Sequence, residues 1–411
     1  MPATSASHLT EEAPGGYVLE LPDGSRRPPG DVPAAFTIAA ANEEKGRLFL
    51  NPNPYLAAAA FVRGEFDVHG DVISAMRFRD AWLRERPWPW AWTATLRFLL
   101  HFEHWFQTKA RAARNIRFHY DRPVEFYRQF LDSRLVYSCA YFQNPDWTLE
   151  QAQLAKLDLI CRKLDLRPGE LFLDVGCGWG ALVRHAAGEY GAGATGCTVS
   201  PSQCAYARRL ASQQGLENRV TIREQDYRDV AGVYHKIASV GMFEHVGRRR
   251  LGGYFRKMYE LLAPDGLFLN HGIARAQGVR EGPESRFVRR HVFPGGELVC
   301  LRDVVEEAES AGFEVLDVEN LRPHYALTCR AWAHRLEANR EACLGWVDAP
   351  CYRTWLVYLA ASALNFEQGF ADVYQVLLAK RDSARGRRLG REYMYALGAA
   401  RKRAGFTRPG S

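Results

Sequence analysis

The sequence predicts an α/β fold, a doubly wound parallel sheet with a small α+β unit ahead of it, and three observations lead there. From residue 171 onward, short apolar runs alternate with helical stretches: LFLDVGCGWG, ATGCTVS, RVTIREQDY, KIASVGMF and GLFLNHGI. Strands that alternate with helices build a parallel sheet covered on both faces. The first of these runs ends in a glycine turn and passes into a helix beginning ALVRHAA. Finally, 411 residues with 47% apolar and 25% charged content fit ordinary globular domains, and the length suffices for two or three.

The elements follow in chain order. Residues 1–15 are small and polar and read as disordered. In 16–81, YVLEL and AAFTIAA read as strands broken by DG and PPG turns. YLAAAAFVRGEFDVHGDVISAMRF then predicts a helix, a tight turn and a second helix. The stretch 82–115 carries Trp82, Trp88, Trp90, Trp92 and Trp105 beside many arginines. Its RERPWPWAW cannot be regular helix, because Pro87 and Pro89 forbid it. Tryptophan next to arginine suits either a membrane interface or a linker packed by aromatics. Residues 116–411 form the α/β unit, mostly helical at first. Within it WLVYLAASALNF (355–366) is too short to span a bilayer and reads as a core helix.

Composition narrows the function classes. The start, MPATSASHLTEEAPGG, has neither a basic segment nor an apolar one, so a cytoplasmic location is expected. Nine cysteines lie scattered without CxxC pairs, which predicts neither a zinc site nor a disulfide framework. The net charge of +7 suits an anionic membrane surface or a solvated arginine-rich one. No nucleic-acid motif appears, so nucleic acid is not an expected partner.

The candidate site residues cluster at strand ends. Asp174 precedes Gly176, Gly178 and Gly180, an acid followed by glycines spaced by two. This differs from the dinucleotide pattern GxGxxG and resembles the loop of S-adenosylmethionine (SAM) methyltransferases. In those enzymes the acid meets the methionine ammonium. The second strand ends GCTVSPSQ without an acid, so Thr198, Ser200 and Gln203 are the candidates for the ribose hydroxyls. Gln225 and Asp226 end the third strand and suit an adenine edge. Glu244 and His245 end the fourth, where a helix cap is the alternative reading. His271 falls at a similar height on the fifth, and LVYSCAYF brings a Cys–aromatic cluster able to close over a pocket.

Together these motifs resemble the cyclopropane-fatty-acyl-phospholipid synthase family, which includes the mycolic acid cyclopropane synthases. HYDRPVEFY, FLDSRLVYSCAYF, LDVGCGWG, VGMFEHVG, NHGI, FVRRHVFPGGEL, HYALTCRAW and VYQVLLAK carry the resemblance across about 116–380. It implies a Rossmann-like class I methyltransferase domain behind an N-terminal lipid-binding, sterol-carrier-like domain, which 16–81 resembles more weakly. The implied reaction moves the SAM methyl to a cis double bond of a phospholipid acyl chain, through a carbocation deprotonated by bound bicarbonate. The implied bicarbonate cage is the Cys139 backbone region, Glu244, His271, the Ile273 main chain and Tyr325, with Tyr137 and Ser138 on the SAM side. His245 is a neighbour without an assigned role. Two positions depart from the family's common pattern: Pro123–Val124 replaces Gly-Asn, and Ser362 replaces a cysteine often called catalytic. A cyclopropane product is the favoured expectation, with a methyl- or methylene-branched chain as the alternative. Other rivals are a lipid-binding protein without catalysis and a small-molecule N- or O-methyltransferase. The expected partner is the inner face of the cytoplasmic membrane, and the resemblance also admits a homodimer.

Overall fold

The computed structural model describes residues 18–27, 36–84, 122–279, 297–383 and 389–395. The Trp/Arg-rich stretch from residue 85, including Trp88, Trp90, Trp92 and Trp105, lies outside them, as do residues 1–15 and most of FVRRHVFPGGEL. By contacts the chain divides into two units. One gathers Met1–Trp105, Glu281–Val292 and Cys329–Leu364; the other holds Phe106–Arg280, Phe293–Thr328 and Asn365–Ser411.

In the first unit, β1 (Val18–Glu20) pairs antiparallel with β2 (Arg26–Arg27) and parallel with β3 (Phe36–Ala40). Strand β4 (Phe66–Gly70) completes the order β2-β1-β3-β4. The sequence was expected to make only a tight turn at FDVHG. Instead it forms a strand, because pairing Phe66 with Ala40 and Val68 with Ile38 satisfies its backbone on β3. Phe66 then joins Phe36, Phe49 and Phe61 in an aromatic core, with ring centroids 5.8–6.0 Å apart. Helix Pro54–Val62 starts where a sequence reader would place it: Asn53 caps it by accepting the Tyr55 N–H, and proline takes the first turn. The later helical stretch reaches back to this sheet. Arg340 and Arg353 each donate to Asp67 Oδ2 at 3.0 Å, and Arg353 also donates to the carbonyls of Phe61 and Phe66.

The second unit is built on a seven-stranded sheet. Its strands are β5 (Leu171–Val175), β6 (Gly193–Thr198), β7 (Val220–Glu224), β8 (Tyr234–Val240), β9 (Leu262–Arg275), β10 (Phe313–Asn320) and β11 (Ala371–Lys380). The order is β10-β11-β9-β8-β5-β6-β7, with β5 to β9 paired in parallel. This part is the doubly wound sheet the alternation predicts. The wholly parallel sheet is corrected at one edge, where β11 runs antiparallel to β9 and β10 antiparallel to β11.

Alternation of side chains along each strand makes the two cores. Phe172, Ala238, Leu269 and Leu377 face a layer formed by helices Leu149–Lys163, Ala181–Tyr190 and Pro201–Gln213. Their neighbours Leu173, Ile237, Phe268 and Val376 face the opposite layer, with helices Leu251–Leu261 and Leu301–Ser310. Period-two burial on both faces is what a covered central sheet requires. Helix Leu149–Lys163 opens with a capping box, Thr148 and Gln151 each accepting the other's backbone N–H. WLVYLAASALNF lies within helix Ala349–Glu367, with Trp355, Leu359 and Ala363 buried. No helix among the described residues is long and apolar enough to cross a membrane.

Candidate active site

Parallel α/β sheets place ligands at the carboxyl ends of their strands, and here β5, β6, β7 and β8 end around one cavity. Among its lining residues are Tyr137, Ser138, Asp174, Gly176, Gly178, Thr198, Gln203, Gln225 and Asp226, all read from the sequence as cofactor-binding. Gly178 has φ +52° and nothing within 4 Å of the position a Cβ would take, so backbone there stands open to a ligand. Gly176 has φ +81°, and a Cβ there would meet Met242 Cγ at 2.8 Å.

Two of the sequence candidates support the cavity from outside its lining. Gly180 begins helix Ala181–Tyr190 at φ +79° and lets it approach Ala207, whose Cβ would lie 2.9 Å from an added methyl. Ser200 is buried and caps helix Pro201–Gln213 by accepting the Gln203 N–H.

Hydrogen bonds already fix several lining groups. Thr198 Oγ1 donates to Gln203 Oε1 at 3.0 Å and accepts the Ser200 N–H. Gln225 Nε2 donates to the Asp229 carbonyl. Arg228 holds Asp226 with two guanidinium bonds of 2.7 and 2.5 Å, so this carboxylate is an anchored acceptor beside the cavity. Trp179 lines the cavity and is backed by Tyr127, with 4.8 Å between ring centroids.

Asp174 is buried, which pushes its carboxyl up to about 7 against the pull of Lys156. Lys156 is a residue the sequence reading passed over. It lines the same cavity and donates to Ser138 Oγ at 2.8 Å, and burial lowers its ammonium to about 8. Its signal was present: the buried stripe Leu149, Ala152, Gln153, Lys156, Leu157 and Ile160 carries two polar residues where a core helix needs none. Gln153 donates to the carbonyls of Val136 and Ser138 at 3.3 and 2.9 Å. Between them these two side chains hold the Val136–Cys139 loop.

Glu244 and His271 flank the end of β8. His271 pairs with Val240, and its carbonyl accepts the Gly241 N–H at 2.8 Å; Val240 and Gly241 line the cavity. Glu244 sits on a short turn, Phe243–His245, and its Oε1 accepts the Ile273 N–H at 2.7 Å. Ile273 thus contributes its main-chain donor to Glu244. A Cβ on Gly272 would run into the Phe243 ring and come within 3.0 Å of Glu244 Oε1, so only glycine lets this turn lie on β9. Burial raises the Glu244 carboxyl to about 7. His245 lines the cavity, and burial lowers its imidazole to about 4, so it is neutral near pH 7.

His271 is buried, and the same desolvation holds it well below the usual histidine range. Gln375, directly opposite on β11, places its amide nitrogen 3.1 Å from Nδ1. With the amide donating, the neutral ring carries its proton on Nε2. Gln375 was also unassigned from sequence, although a glutamine inside VYQVLLAK interrupts an apolar strand. Two buried polar atoms here have no hydrogen bond among the described residues, Glu244 Oε2 and His271 Nε2, the latter a donor in the tautomer that pairs Nδ1 with the Gln375 amide.

The remaining catalytic candidates are distributed. Cys139 is buried, and desolvation pushes its thiol far up; Sγ lies 3.2 Å from the Ala140 carbonyl and 3.7 Å from that of Leu321. A neutral thiol held this way suits a wall better than a nucleophile. Tyr325 is buried and stacks on Phe366 at 4.5 Å. Ser362 is half-buried on helix Ala349–Glu367, in the stretch belonging to the first unit, whereas all the other candidates belong to the second.

Known proteins resemble this chain in sequence and in fold. The family model for mycolic acid cyclopropane synthetase matches residues 107–376. A probable fatty acid methyltransferase of Pseudomonas putida is 39% identical over 375 residues, covering 88% of this chain and 91% of its own. Among solved structures, the cyclopropane synthase MmaA2 from Mycobacterium tuberculosis superposes with a TM-score of 0.64 at 33% identity, over 65% of this chain and 98% of that one. Mycolic acid cyclopropane synthase CmaA1, complexed with SAH and CTAB, gives 0.63 at 34% identity over the same shares. On the matched family model and the full-length relative, the chain belongs to the mycolic acid cyclopropane synthetase family.

Proposed function

We propose that this chain is a SAM-dependent methyltransferase that converts cis double bonds in phospholipid acyl chains to cyclopropane rings, with bicarbonate bound as the base. The observation that carries it is the pair of unpartnered buried atoms, Glu244 Oε2 and His271 Nε2, next to a cavity lined by the glycine loop. Bound SAM supplies an electrophilic methyl group, and bicarbonate supplies a base small enough for a closed site. For the first, Asp174 and the open backbone at Gly178 fit a cationic amino-acid end and a close ligand approach. For the second, the fit is chemical: His271 offers an N–H to an anionic oxygen, and Glu244 offers a carboxylate oxygen to an O–H. Trp179, Tyr137 and Tyr227 line the cavity, and aromatic side chains there exclude water and favour nearby positive charge.

The same reading puts the protein on the cytoplasmic face of the membrane. Its support is the net charge of +7 and the family relation to lipid-modifying enzymes. The test is direct. Purified protein, SAM and vesicles of cis-unsaturated phospholipid should yield acyl chains with high-field cyclopropane protons by NMR, at a rate that rises with added bicarbonate. Alkene or saturated branches without those protons would assign the branching reaction instead. Methylation of small amines, with lipids untouched, would overturn the lipid reading.

A further inference from the structure

Lys156 has a role that the cavity's glycine loop and acids leave open. Its side chain is 2% exposed, on the inward stripe of helix Leu149–Lys163. Such a position is expensive for an ammonium, which has three N–H donors and loses its hydration on burial. Yet its one hydrogen bond among the described residues goes to a neutral partner, Ser138 Oγ. No carboxylate of those residues lies within ion-pairing distance of Nζ. Asp132, a candidate counter-charge in the neighbourhood, is already engaged, its oxygens accepting the N–H groups of Arg134 and Val136. Asp174 lines the same cavity as Lys156 without pairing with it. A buried cation and a buried acid therefore line one cavity without an ion pair between them.

Opposite charges held apart match a ligand that is itself a zwitterion. The amino-acid end of SAM carries an ammonium and a carboxylate on one carbon, and Asp174 already suits the ammonium. We infer that Lys156, together with the Ser138 hydroxyl, is the seat of the cofactor's carboxylate. Ser138 accepts from Lys156, so its own O–H remains to donate toward the ligand. Gln153, one helical turn before Lys156, fixes the Ser138 carbonyl and so sets where that hydroxyl stands. The inference rests on the SAM reading above and adds which group selects the amino-acid end.

The experiment is a calorimetric titration of the full-length protein with two ligands, S-adenosylhomocysteine and its decarboxylated counterpart S-adenosyl-3-thiopropylamine. The wild-type protein should bind the carboxylate-bearing ligand about 10- to 100-fold more tightly, the scale of a charge-assisted hydrogen bond. Lys156→Met should lose that preference by weakening only the first ligand, and its thermal unfolding midpoint shows whether it is folded. Should Lys156→Met not fold, Lys156→Gln takes its place, keeping a polar contact to Ser138 without the charge. A wild-type protein that binds both ligands equally overturns the inference, as does a folded variant that keeps the wild-type ratio. Failure of the wild-type protein to bind S-adenosylhomocysteine at all overturns the SAM reading itself.

Discussion

Glu244 spends one carboxylate oxygen on the Ile273 N–H and keeps the other buried without a hydrogen bond among the described residues. Burial raises its carboxyl to about 7, so lowering the pH through that value adds a proton and removes the acceptor. Lipid-methylating kcat/KM should therefore fall as pH drops below about 7. Glu244→Gln should lower turnover by about 100-fold or more, the scale of general acid–base effects, and should flatten that acid limb. A variant with wild-type rates and an unchanged profile would remove Glu244 from the machinery. Such residues are legible in a sequence because an acid or imidazole at the tip of an apolar run has few bland explanations. Lys156 and Gln375 are harder to read. Each is identified by what it faces across the fold, Ser138 for one and His271 for the other, and neither neighbour is close in sequence.

Residues 135–138 line the site, and the loop they begin is tied, beyond Cys139, to the first turns of helix Arg322–Ala338. The Ala140 N–H donates to Thr328 Oγ1 at 3.0 Å, and the Phe142 N–H donates to His324 Nδ1 at 3.1 Å. Thr328→Val keeps the shape and strands the buried Ala140 donor, which should cost about 1–3 kcal/mol. A urea midpoint unchanged by this substitution would show that the loop is held elsewhere. LVYSCAYF announced an enclosing loop, but nothing local announced its partner helix. The sheet shows the same division. Strands β5 to β9 are legible because each is an apolar run bounded by a turn and followed by a helix or a strand-end motif. Strands β10 and β4 are half-exposed, FEVLDVEN and FDVHG, so pairing with a neighbour decides them more than their own pattern does.

At the scale of the whole molecule, excess positive charge and the tryptophans of 82–115 belong to one expectation, attraction to anionic lipid. Vesicles carrying anionic headgroups should bind the protein more tightly than neutral ones. Binding should weaken with salt, since the screening length falls from about 10 Å at 0.1 M to about 3 Å at 1 M. Replacing Trp88, Trp90 and Trp92 with alanine should weaken it further. Indifference to headgroup charge, salt and these changes would favour an aromatic linker. The first unit has a different consequence, one of timing. Its β-sheet is made early, but the two guanidinium groups that clasp Asp67 belong to Arg340 and Arg353, near the far end of the chain. A ribosome adding about 5–20 residues each second leaves that aspartate waiting for ten seconds or more on the nascent chain. During synthesis the unit that begins first thus stays unfinished until Leu364, after most of the second has been made, and cutting the gene after the N-terminal strands would deliver a protein half whose fasteners were never translated.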